Sequence, residues 1–167
     1  MTITVKPETA SVRPCVVACI LRDIEFDTST YNSFIDLQDK LHQNICRRRQ
    51  FASMGTHDLD KVQGPVTYEA LPPKDIIFQA LKQTEVMNAE QLFEVYKSDV
   101  KMKKFTPILD GHEKYPVFYD ATRSVLSLPP IINSEKTKIS LATKNVFIEI
   151  TGTDIMKTRI CLAILAS

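Results

Sequence analysis

The order of elements along this chain constrains its fold more than any single residue does. Short β-forming runs and amphipathic helical stretches follow one another without regular alternation. Cys15–Leu21 is a continuous apolar run that reads as a buried strand. Residues 31–49 read as a helix, because Phe34, Leu37, Leu41 and Ile45 recur at spacings of three, four and four and share one face, with Ser29 or Thr30 as the cap. Val66, Tyr68 and Ala70 alternate with polar neighbours, and Ile76–Phe78 follows Pro72-Pro73 as a second short strand. Asn88–Gln91 has the form of a capping box ahead of Leu92, Val95 and Tyr96. Tyr115–Asp120 and Ser124–Leu128 flank a turn and read as a hairpin. Pro129-Pro130 then ends the pairing, because proline has no N–H to give to a ladder. Val146–Thr151 reads as a strand, and Gly152-Thr153-Asp154 breaks it and caps a final helix carrying Leu162 and Leu165. This order, with several antiparallel strands, predicts an α+β fold rather than a wound parallel sheet.

A chain of 167 residues fits one domain. Residues 1–11 read as a linker or cut edge and residues 12–167 as a single domain. The apolar fraction of 44% and charged fraction of 25% are those of a globular protein. No stretch approaches the ~20 apolar residues needed to cross a bilayer, and Met1–Lys6 lacks the pattern of a signal peptide, so a cytoplasmic location with no membrane partner is expected. The net charge is +1, from 21 basic and 20 acidic residues, without the basic excess of a protein that grips a long nucleic-acid backbone. If RNA is bound, most of the grip should lie elsewhere. Cys15, Cys19, Cys46 and Cys161 form no Cys-x-x-Cys pair and read as buried free thiols; His42 and Cys46 on one helix face are two ligands, not a metal site.

Few residues suggest chemistry. Glu149 lies within Val, Phe, Ile and Ile, and by alternation Phe147, Glu149 and Thr151 share one face. Either Glu149 is an acid on a solvated strand face, or it is an acceptor at the bottom of an aromatic pocket, with Thr151 placing water or a ligand oxygen. Leu126–Asn133 contains Pro129, Pro130, Ile131 and Ile132, a stiff apolar segment that suits a pocket wall as well as a packed loop. Ser127 lacks the glycines of a nucleophile elbow. His57-Asp58-x-Asp60 reads as a turn cap, as metal ligands, or with His57 as a general acid or base. Arg47, Arg48 and Arg49 complement a helix dipole or touch phosphates. No glycine-rich phosphate loop exists, so this chain alone should not activate amino acids with ATP.

Four strings carry a resemblance. Tyr31–Asn44, Gly55–Lys61, Leu126–Ser134 and Asn145–Asp154, with Arg13-Pro14, resemble in order the B3/B4 editing domain of archaeal and eukaryotic-type phenylalanyl-tRNA synthetase β subunits, from residue 13 to about 160. The other modules of such a subunit are missing, so the chain looks like an excised domain. The resemblance implies a layered domain with a β-sandwich of unusual topology and helices packed outside. It implies hydrolysis of tyrosine wrongly esterified to tRNA(Phe), a synthetase α subunit in an α2β2 assembly, and ATP and magnesium in the full synthetase but no cofactor in this domain.

Such a task has a physical reason. A pocket shaped for one side chain rejects an added hydroxyl only weakly, on the order of 10²-fold. A second site can use that hydroxyl as a signal, because a buried acceptor left unpaired disfavours phenylalanine by roughly 1–3 kcal/mol. By resemblance Glu149 is that acceptor. Phe118, Ser127 and Thr151 line the pocket, and Pro129, Pro130, Ile131 and Asn133 belong to its substrate wall. His57 lies near the terminal adenosine. Phe118 departs from the aliphatic residue of archaeal members. No covalent intermediate is expected, since an aminoacyl ester is already activated and water held in line by Ser127, Thr151 or backbone N–H groups supplies the rest. The competing readings are a docking module for tRNA or the α subunit that has lost hydrolysis, and a free-standing deacylase.

Overall fold

The short β-forming runs become ten strands in the computed structural model, which describes residues 1–167. In chain order they are β1 (Ile3–Val5), β2 (Cys15–Leu21), β3 (Ala52–Asp58), β4 (Val66–Leu71) and β5 (Ile77–Phe78), then β6 (Met87–Asn88), β7 (Tyr115–Tyr119), β8 (Val125–Leu128), β9 (Ile132–Asn133) and β10 (Val146–Gly152). The helices are α1 (Thr28–Gln43), α2 (Ala89–Tyr96) and α3 (Ile155–Ala166). The fold is α+β, as the irregular order predicts. The chain forms two compact units, each from two separated stretches: Met1–Arg13 with Gln63–Lys136, and Pro14–Val62 with Thr137–Ser167.

The first unit is built on a five-stranded sheet in the order β1-β4-β7-β8-β9. Residues 1–11, expected as a linker or cut edge, supply its edge strand: Ile3 and Val5 run parallel to Val66 and Tyr68, and Pro7–Ser11 forms a 3-10 turn. The β-branched run Ile3-Thr4-Val5 gives the physical reason. The alternation in β4 holds, with Val66, Tyr68 and Ala70 buried and their neighbours half-buried. The hairpin of β7 and β8 forms with a bulge at Phe118/Tyr119. Pairing does not stop at the prolines. They occupy a tight turn with a cis peptide between them, the Ile131 N–H donates to the Leu128 carbonyl at 2.8 Å, and β9 pairs back onto β8. A turn corner needs no ladder N–H, so proline fits there. The capping box of α2 is present: the Asn88 side chain accepts from Gln91 N–H at 2.9 Å and the Gln91 side chain accepts from Asn88 N–H at 3.0 Å. Leu92 and Tyr96 enter the core with Ile76, Leu109, Val117 and Leu128, but Val95 is exposed. Its expected place is taken by Phe93, stacked on Tyr115 at 5.0 Å.

The second unit is a three-stranded antiparallel sheet with β10 between β2 and β3. One face carries Met54, Ile148 and Ile150, which pack with Leu41 of α1 and with Cys161 and Leu165 of α3. β2 is half-buried throughout rather than fully buried. All four cysteines are free; Cys46 and Cys161 are buried with their sulfurs 3.3 Å apart, while Cys15 and Cys19 are only partly covered. The cap of α1 is Asp27, not Ser29 or Thr30. Its carboxylate accepts from Thr30 N–H at 2.7 Å, and the Thr30 hydroxyl oxygen accepts from Asp27 N–H at 2.9 Å. The helix also ends earlier than the periodicity suggests, at Gln43. Arg47, Arg48 and Arg49 have φ of 47°, 53° and 67°, a left-handed turn that costs about 1–2 kcal/mol per residue and cannot continue a right-handed helix. The arginine triplet is therefore not a last helical turn. Asp154 caps α3 by accepting from Lys157 N–H at 3.0 Å, as expected.

Candidate functional site

β10 is paired on both sides, so its backbone is rigidly held, and the cross-strand register fixes which side chains share its second face. Three lateral rows result. Ile20, Phe147 and His57 form one, Ala18, Glu149 and Gly55 the next, and Val16, Thr151 and Ser53 the third. Glu149 is 1% exposed, which overturns the reading of a solvated strand acid. Its immediate neighbours in the sheet are a methyl group on one side and no side chain on the other. The carboxylate thus has small partners on both sides in its own row, with aromatic rings in the row at one end and hydroxyls in the row at the other. Glycine inside a strand marks such a place, where a ligand or another backbone comes close.

His57, fully buried, bridges two elements: Nδ1 lies 2.8 Å from the Thr137 hydroxyl and Nε2 lies 3.4 Å from Glu149 Oε1. The arrangement that satisfies all three groups has Thr137 donating to Nδ1 and the imidazole proton on Nε2, facing the carboxylate. A separation of 3.4 Å is well beyond the ~2.7–2.9 Å of a tight charge-assisted bond. His57 therefore orients Glu149 without forming a close ion pair with it. The His57 ring lies 5.9 Å from the Phe147 ring, centroid to centroid. In the third row, the Thr151 and Ser53 hydroxyls are 3.4 Å apart and both buried.

The turn-cap reading of Asp58 also holds. Its side chain accepts from Asp60 N–H at 3.1 Å and from the Thr143 hydroxyl at 3.0 Å. The metal-ligand reading of His57-Asp58-x-Asp60 does not hold, because no three His, Cys, Asp or Glu side chains come together as a metal site. Asp58 points to the opposite face of β3 from His57, as a two-residue period requires.

Of the residues selected from sequence, the second unit brings together His57, Glu149 and Thr151. The first unit brings together Phe118, Ser127 and Asn133, which lie in register across β7, β8 and β9. Tyr68 extends that row on β4, stacking on Phe118 at 4.6 Å, and its hydroxyl donates to the Arg13 carbonyl at 2.7 Å. Pro129, Pro130 and Ile131 are buried in the turn that joins β8 to β9. A surface depression of the same unit, lined by Glu8, Ser11, Gly111 and His112, contains none of the selected residues. Sequence reasoning missed Gly55, Ala18 and Thr137. A glycine amid β-forming neighbours was the signal for the first; nothing in the local sequence marks the other two.

Comparison with known proteins gives this arrangement a context. Residues 17–163 match the family model of the B3/4 domain. The chain is 61% identical over 158 residues to the cytoplasmic phenylalanine–tRNA ligase beta subunit of Arabidopsis thaliana, across 95% of this chain and 26% of that protein. It is 48% identical over 160 residues to the phenylalanine–tRNA ligase beta subunit of Homo sapiens, across 96% of this chain and 27% of that protein. The chain therefore spans about a quarter of the length of the curated relatives it matches. Its structure is similar to that of an N-terminal fragment of the phenylalanyl-tRNA synthetase beta-subunit from Pyrococcus horikoshii, with a TM-score of 0.91 and 32% identity, covering 98% of this chain and 46% of that one.

Proposed function

Since the chain belongs to the B3/4 domain family, and matches that domain of the eukaryotic phenylalanine–tRNA ligase β subunit, we propose that it hydrolyses the ester of tyrosine on tRNA(Phe). One observation carries this reading: a buried carboxylate, Glu149, in a central strand where its direct cross-strand partners, Ala18 and Gly55, are both small. A carboxylate accepts but does not donate, so it recognises a hydroxyl and gains nothing from a phenyl edge. A tyrosine hydroxyl supplies a donor in addition to His57. Phenylalanine offers the carboxylate no donor, a difference of roughly 1–3 kcal/mol in favour of tyrosine.

The reaction needs little from the protein beyond position. Water adds to the ester carbonyl, and the bond to the ribose oxygen breaks. One water proton ends on that oxygen and the other passes to solvent as tyrosine leaves with a carboxylate. Thr151 is the hydroxyl assigned to hold the water or the oxyanion in the second unit. Ser127 carries the same expectation in the first unit. His57 keeps the carboxylate aimed. ATP and magnesium are assigned to the synthetic reaction of the full ligase, where an α subunit completes the proposed assembly.

The test is deacylation of pre-formed Tyr-tRNA(Phe) and Phe-tRNA(Phe) by the chain, at high protein concentration and low salt. Selective tyrosine release is expected, with Glu149→Ala erasing the selectivity. Equal release of both amino acids by the unaltered protein, or undiminished selectivity in the variant, would contradict the assignment.

A further inference from the structure

Arg47, Arg48 and Arg49 make a complete left-handed turn from three residues that carry a Cβ. Such positions ordinarily go to glycine or asparagine. The turn is fixed by its own backbone. Cys46 N–H donates to the Leu41 carbonyl at 3.0 Å, Arg49 N–H to His42 at 3.2 Å, and Phe51 N–H to Cys46 at 3.0 Å. The Phe51 carbonyl in turn accepts from Thr153 N–H at 3.0 Å. Glycines would build the same reversal with less strain, so what arginine adds is its side chain. Strain kept against a less strained alternative points to a function for that side chain.

Arg47 and Arg48 are exposed, and neither forms an ion pair with a carboxylate. The Arg47 guanidinium lies over the Phe51 ring, 5.4 Å from its centroid. With a net charge of only +1 on the whole chain, this local concentration is not a by-product of general basicity. Guanidinium forks match phosphate oxygens bidentately, and an arginine backed by an aromatic ring offers a flat face to an unpaired base. An acidic protein surface would use the charge but not the stacked pair. We infer that the turn from Cys46 to Phe51 is an RNA contact that grips the phosphate backbone through Arg47 and Arg48. The inference rests on the reading of the substrate as a tRNA, and it adds the place where that tRNA is held.

The test uses the 167-residue chain and an uncharged tRNA(Phe) transcript, with binding followed by fluorescence anisotropy from about 50 to about 200 mM salt. In the double variant Arg47→Gly/Arg48→Gly the log–log salt slope should fall by about 1.5, for two lost phosphate contacts. The melting temperature should stay level or rise, because glycine relieves the left-handed strain. Arg47→Gln/Arg48→Gln keeps the original backbone cost and should lose the same slope. An unchanged slope in either folded variant overturns the inference, as does a wild-type chain that fails to bind the transcript at the lowest salt. Weakened binding to the α subunit with the RNA slope intact overturns it in favour of a protein interface. Tyrosine release measured alongside separates the two readings. Release with an unchanged slope removes only the arginine contact; a reduced slope without release in either protein removes only the hydrolysis.

Discussion

Gly55 stands directly across from Glu149 in the β3–β10 ladder, so no side chain faces the carboxylate at that register position, and His57, two residues along β3, reaches it instead. Gly55→Val, a good strand former, should place a branched side chain beside the carboxylate. The expected outcome is loss of tyrosine release in a protein that still unfolds cooperatively, read by deacylation and thermal unfolding on the same protein. Full activity in a folded Gly55→Val protein would show that the tyrosine side chain does not go beside Gly55.

Thr151 and Ser127 are separable by their own variants. Thr151→Val keeps shape and removes the hydroxyl, and Ser127→Ala does the same for the first unit. If one hydroxyl holds the water or the oxyanion, its loss should lower kcat by roughly 10²-fold or more with KM little changed. Single-turnover deacylation identifies which one, and equal small effects from both would shift the role to backbone N–H groups.

Gly152 ends β10 where there is no room for a side chain. A Cβ there would lie 2.3 Å from the Phe51 carbonyl oxygen and 2.5 Å from the Thr158 hydroxyl. Backbone has to move to admit it. Gly152→Ala should destabilise by about 1–3 kcal/mol in denaturant unfolding, as overpacking does elsewhere.

Asp120 closes the β7–β8 turn. Burial pushes its carboxyl up, but the Thr122 hydroxyl and the backbone N–H groups of Ser124, Gln63 and Thr122 donate to it and together hold its pKa below the usual carboxylate range. A lowered folded pKa means that this stabilisation is present above the unfolded value of about 3.9 and is lost as pH falls through the lower folded one. Asp120→Asn should therefore cost about 1–3 kcal/mol near neutrality, and less in acid. Thermal unfolding of both proteins from pH 6 downward tests this: the two melting curves should converge below the ordinary carboxylate pKa.

Local pattern carried much of the fold. The alternation of Val66, Tyr68 and Ala70, the Asn88 capping box and the Asp154 cap are each set by neighbours within a few residues, and each forms as read. One misreading comes from competition between local signals. Thr30 has the chemistry of a cap but serves as the reciprocal partner of Asp27. Nothing in three consecutive arginines announces a left-handed turn. The site was less legible still. Alternation places Phe147, Glu149 and Thr151 on one face but cannot tell a solvated face from a second buried one. His57 reaches Glu149 across 92 residues of chain only because β3 pairs with β10 in one register, and register is not written in either strand alone.

The interleaving of the two units also sets an order of assembly during synthesis. Residues of the first unit are all present once Lys136 has been made. The second cannot close until its last stretch, with the central strand β10, has emerged. Until then β2 and β3 lack the strand that joins them, and Glu149 has not yet been translated. The carboxylate assigned to reading tyrosine thus enters the fold only after every residue of the first unit has been made.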